Sequence, residues 1–151
     1  MSEISRAPDL SALEIPMDQW TQPFWDAAAE GRLMLPRCGD CRRFRWPPGP
    51  FCPHCQSQAI EWAPSGPARI YSFTLVRDRT RDDSDVHVPA LVEFPQADGI
   101  RLLAAVTNTP LSAIQIGAAL TLGWSQAVNA RVPVFQVCAD GADFRDQGRR
   151  R

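Results

Sequence analysis

Cys38-Gly39-Asp40-Cys41, ten residues, then Cys52-Pro53-His54-Cys55 is the stretch on which the reading of this chain turns. Two Cys-x-x-Cys hooks this close together can surround a single tetrahedral ion with four thiolates, each tight turn supplying two sulfurs. Gly39 relaxes the sterics of the first turn and Pro53 fixes one φ in the second. Between the hooks, Pro47, Pro48, Gly49 and Pro50 suit a sharp reversal. The spacing therefore predicts a zinc ribbon with Cys38, Cys41, Cys52 and Cys55 as its ligands. Iron takes the same ligand set, so the pattern leaves zinc and iron both open. Two disulfides fit poorly with five cysteines and no secretory leader. With four sulfurs in place no position stays open for water or substrate, so the ion is expected to be structural.

Outside the hooks, the chain has 151 residues, 44% hydrophobic content and net charge −1. That is enough for one compact domain carrying a small module, with no global attraction to nucleic acid or to an anionic membrane. No apolar run approaches the roughly 20 residues needed to cross a bilayer, and a cytoplasmic location is expected. All sixteen basic residues are arginine, which rules out Schiff-base or lysine-base chemistry by residue type.

Ahead of the ribbon, residues 2–16 read as a flexible arm with apolar anchors at Leu10, Leu13 and Ile15. Thr21 as cap, Pro23 in the first turn and Gly31 as terminator bracket a short helix through Phe24–Glu30. A helix so short must dock on something, either its own domain or a partner protein. Beyond Trp62 the pattern is β: 69–76, 90–94, 102–107, 119–124 and 132–137, with Asp98-Gly99 turning a hairpin and Pro133 marking an edge. Five short strands with glycine corners suit a small barrel such as an OB-fold, with an SH3-like barrel or small sandwich as alternatives. The mixed-charge stretch 77–85 reads as a solvated loop, and the last residues as a flexible tail. The expected organisation is arm and helix over 1–36, ribbon over 37–63, barrel over 64–139 and tail over 140–151.

The order of parts resembles a known family. Pro23-Phe24-Trp25 precedes Glu30-Gly31-Arg32-Leu33-Met34-Leu35; then come both hooks, Trp46-Pro47-Pro48 between them, Glu61-Trp62, and Gly66 leading to Ile70-Tyr71-Ser72-Phe73. This is similar to the acyl-CoA-associated family that joins a rubredoxin-like zinc ribbon to an OB-fold, over about Trp20 to Val137. It departs after Gly66, where Pro67 and Ala68 stand in place of a second glycine. The resemblance implies a non-catalytic accessory subunit that binds a thiolase-superfamily catalytic subunit (a thiolase, aldolase or acyltransferase) and helps it hold or channel acyl-CoA. In such assemblies the partner supplies the nucleophile and the acid–base groups.

The residues agree with that division of labour. The only histidines are His54, inside a hook, and His87; the spare thiol, Cys138, has no base placed beside it by the sequence. Arg37, Arg42, Arg43 and Arg45 cluster on the ribbon, where they could meet CoA phosphates, acidic partner residues or simply solvent. A single-stranded nucleic-acid-binding ribbon and barrel is the competing reading. It is weakened by Asp78, Asp82, Asp83, Asp85 and Asp98 among the barrel loops, where a basic groove would be needed.

Overall fold

The computed structural model describes residues 3–77, 80 and 85–139; the expected tail and most of the 77–85 loop lie outside them. The first element is the helix α1 (Gln22–Ala29). Its start differs from expectation. Thr21 already has helical φ and ψ and makes no side-chain cap bond; instead Asp18 Oδ1 accepts from the N–H groups of Trp20 (2.9 Å) and Thr21 (2.8 Å). Its end is as predicted. Gly31 sits at φ +75°, its N–H donating to Ala28 O and that of Arg32 to Ala27 O, which closes the last turn as a Schellman motif.

Two strands frame the ribbon. β1 (Met34–Cys38) and β2 (Ile60–Pro64) pair antiparallel from Met34↔Pro64 to Cys38↔Ile60. The remaining strands build the barrel: β3 (Ala68–Phe73), β4 (Val76–Arg77), β5 (Val86–Phe94), β6 (Ile100–Val106), β7 (Ala119–Gln126) and β8 (Arg131–Val137). Their order is β3-β7-β8-β6-β5-β4, and β3 also pairs with β5, so five strands close on themselves. All barrel pairings are antiparallel except β6 with β8. This is the OB-fold arrangement that the strand count suggested.

β5 shows why the barrel forms. Val86, Val88, Ala90, Val92 and Phe94 alternate inward and are nearly or wholly buried. Phe94 meets Phe135 across the interior at 6.2 Å between ring centres. The long strand expected over 69–76 is split, because a bulge between Ile70 and Ser72 shifts the register against β5 and the chain leaves the ladder at Thr74–Leu75. The extra residue, Tyr71, faces outward beneath the Arg101 guanidinium, 3.6 Å from its ring centre. Pro133 is not on an edge strand, since β8 lies between β7 and β6. It is tolerated there because β6 pairs with β8 only at Val134 and Phe135, which leaves the first residues of β8 bonded on one side alone.

The arm is not loose. Ser5 is buried, and its N–H donates to Thr109 O (2.9 Å) while its O accepts from Asn108 N–H (2.9 Å). Arg6 N–H donates to Val86 O, and Glu3 receives Arg77. Farther along, Leu13 O accepts from Val128 N–H, and Ile15 exchanges two hydrogen bonds with the Asn129 side chain. Main-chain bonding of this kind leaves no periodic apolar signature.

Helix, ribbon and barrel share one core. Phe24, Leu33 and Leu35 belong to the same buried cluster as Ile70, Val92 and Phe135, with Phe44, Trp46 and Trp62 of the ribbon packed on it. Asp98 in the β5–β6 turn accepts from Phe44 N–H at 2.9 Å, which ties ribbon to barrel. The helix therefore docks within its own chain, Phe24 meeting Trp25 edge-on at 4.8 Å and Trp46 at 5.2 Å.

Candidate metal centre and apolar groove

The two hooks repeat one local design. In the first, Arg42 N–H returns to Cys38 O (3.1 Å) and Cys38 N–H donates to Arg43 O (2.9 Å). In the second, Gln56 N–H returns to Cys52 O (3.0 Å) and Cys52 N–H donates to Ser57 O (2.8 Å). The residue after each second cysteine takes a left-handed conformation, Arg42 at φ +67° and Gln56 at φ +63°. Each turn thus presents its two sulfurs on one side and its N–H groups towards them.

The four sulfurs converge. All lie within 4.8 Å of one another, with Cys38 to Cys55 and Cys41 to Cys52 each at 3.6 Å. Disulfides need about 2.05 Å, and the five cysteines are free. An ion bonded to sulfur at about 2.3 Å in a tetrahedron sets its ligands about 3.8 Å apart, so the cluster fits a tetrahedral metal. The N–H groups of Cys41 and Asp40 pointing at Cys38 pull its thiol down to about 6 against the cost of burial. Burial opposes the same change at Cys52, where the N–H groups of Cys55 and His54 nevertheless hold the thiol below its ordinary value. At Cys41 the N–H of Arg43 lowers the thiol, but burial and three neighbouring sulfurs together push it up to about 11. Four sulfurs that favour thiolate at two positions and compete for protons at a third form a ready cation site. The arrangement is that of a structural metal centre.

The surroundings sort the ribbon arginines. Glu61 receives Arg37 (2.9 Å) and Arg42 (2.5 Å), and Arg37 also lies over the Phe44 ring. Arg43 Nη1 lies 3.1 Å from Nδ1 of the exposed His54, whose own N–H points at Cys52 Sγ. Arg45 is buried, and none of its guanidinium nitrogens meets a hydrogen-bond partner among the described residues. The four arginines lie close together in the chain, and the burial that separates Arg45 from the rest leaves no mark in composition or spacing.

A second feature was not foreseen. An open apolar groove of about 250 Å³ runs between the arm (Leu10), α1 (Phe24, Trp25), Trp46 and the strands β6 and β8. Leu103, 70% exposed, stands on its β6 side. Elsewhere, Cys138 Sγ lies 3.2 Å from Thr121 Oγ1. No helix among the described residues is long and apolar enough to cross a membrane.

Comparison with known proteins agrees with this anatomy. Residues 25–61 match the ChsH2 rubredoxin-like zinc ribbon domain family. The chain is 34% identical over 119 residues to a probable enoyl-CoA hydratase alpha subunit of Thermomonospora curvata; the match takes in 75% of this chain and 36% of that protein, so the chain spans about a third of its length. Among solved structures, a chain of the Ltp2-ChsH2(DUF35) aldolase superposes with a TM-score of 0.70 at 29% identity, covering 82% of this chain and 98% of that one. A DUF35-family protein of unknown function from Sulfolobus solfataricus shares the fold at 20% identity, with a TM-score of 0.59 over 78% of this chain and 84% of its own. Ribbon, barrel, cysteine cluster and these matches together support the ChsH2/DUF35 family for this chain.

Proposed function

We propose that the chain is a cytoplasmic, non-catalytic accessory subunit of a thiolase-like enzyme. In this reading it binds the catalytic subunit and helps it to hold or channel acyl-CoA. The observation that carries the reading is the superposition on nearly the whole of a chain from the Ltp2-ChsH2(DUF35) aldolase, a protein named for two components. The curated relative, named as a subunit of an acyl-CoA enzyme, supports the same substrate class. The groove at Trp25 and Trp46, an exposed apolar surface of the kind that partners cover, supports the binding of a partner.

Cys38, Cys41, Cys52 and Cys55 would hold the metal, which we take to be zinc. With four sulfur ligands the ion supplies structure, and this chain's residues position the ribbon against the barrel. The reaction groups would come from the partner: Cys138 neighbours a hydroxyl, and His54 neighbours a guanidinium rather than a nucleophile.

The test is to purify the chain with and without a candidate thiolase-like catalytic subunit and to assay acyl-CoA thioesters. A stable hetero-complex is expected, with turnover only in the complex; turnover by the chain alone would sink the reading. Trp25→Ala is expected to weaken co-purification by more than its effect on the melting curve explains. Useful affinity for single-stranded DNA or RNA with steep salt dependence would favour the nucleic-acid alternative instead.

A further inference from the structure

Arg45 is a buried cation whose guanidinium has no hydrogen-bond partner among the described residues. The residue is 5% exposed, and Nε, Nη1 and Nη2 are all buried. A guanidinium removed from water with no anion is strongly unfavourable. The acidic groups of the ribbon are engaged elsewhere: Asp40 with Ser57, Glu61 with Arg37 and Arg42, and Asp98 of the adjoining turn with Phe44 N–H.

Register gives Arg45 its place. Arg37 bridges Phe44, with Cys38 N–H bonded to Arg43 O on one side and Arg45 N–H to Pro36 O (3.0 Å) on the other. Alternation then puts Arg37, Phe44 and Glu61 on one face, and Cys38, Pro36, Arg43 and Arg45 on the opposite face. The contacts agree: Arg37 meets Phe44 and Glu61, whereas Arg43 meets His54 in the second hook. Arg45 is thus one row, about 7 Å along β1, from the row of Cys38. An arginine side chain spans that distance. A divalent ion held by four thiolates bears a net charge of two minus, and here two of the four sulfurs belong to fully buried residues, Cys38 and Cys52.

We propose that Arg45 is the internal counter-ion of the metal-loaded ribbon, its guanidinium offsetting the excess negative charge of the tetrathiolate centre and so raising its affinity for the ion. The inference rests on the metal reading above. It makes Arg45 a positioning and charge-balancing residue rather than a ligand.

The test uses the full chain, Zn2+ and Co2+, with Arg45→Met and Arg45→Lys. Arg45→Met is expected to lose about tenfold or more in Zn2+ affinity by chelator competition, and its sulfur-to-cobalt absorption band should move to longer wavelength. Its metal-loaded form should melt lower than wild type, while its metal-stripped form melts no lower. Arg45→Lys, which keeps the charge, should recover most of the affinity. Should Arg45→Met fail to fold, Arg45→Gln reads the same loss of charge. Affinity within twofold of wild type, or equal drops in melting temperature with and without metal, would overturn the proposal in favour of plain packing. A wild-type chain that takes up neither ion would instead overturn the tetrathiolate site on which it stands.

Discussion

The two cysteine hooks are close copies in backbone and opposites in support. The first grows out of β1, is laddered to β2 over five residue pairs and is flanked by Phe44, itself bonded to the barrel. The second belongs to no strand, and its Cys55 is exposed. It is fastened to the first through Ser57 on Asp40, Arg43 on His54, and the sulfurs. The difference separates two jobs. Local turn chemistry shapes a hook, but only the sheet or the ion can hold it in place.

The largest effect should come from removing the ion. Structural zinc supplies about 10–16 kcal/mol of folding free energy in finger peptides, so Cys41→Ser or Cys52→Ser should abolish bound metal by atomic absorption. The barrel, whose core does not include the sulfurs, should still fold; unchanged metal content would remove the site. Chelation should then divide the hooks. Amide exchange is expected to rise first and most over 50–58, while 34–38 stays protected by the β1–β2 ladder, and equal deprotection would erase the contrast.

Smaller substitutions probe the fastenings one at a time. Glu61→Ala frees Arg37 and Arg42, each contact being worth about 0.2–1 kcal/mol if it behaves as an exposed pair. It should loosen the first hook by amide exchange and leave the second unchanged. Asp40→Ala, which unties Ser57, should act in the opposite sense, visible as faster metal loss to a chelator with little change in melting temperature.

How much of this was readable beforehand follows from the same contrast. The hooks were legible because ligand spacing is written directly in the chain, and the barrel because its strands are rich in β-branched and aromatic residues and its corners carry glycine, although β5 begins at Val86, ahead of the expected 90–94. What escaped was held by groups the sequence does not display. Ser5 and Leu13 are fixed through main-chain atoms, and Asp18 caps from outside the expected start of α1. The bulge at Tyr71 answers to barrel curvature. Pro133 signals an edge in any isolated strand, and only knowledge of where the β6 pairing begins shows why it is accepted inside a closed sheet. The burial of Arg45 had no local signature.

The arm described above joins Thr109, near the end of β8 through its bond to Val137 N–H, to Val128 and Asn129 in the turn before β8 begins. It is thus a buckled belt lying along that strand, and between its two buckles Pro8 and Leu10 form one lip of the groove. Anything that seats there presses on the belt, and the strain would be felt at both poles of the barrel at once.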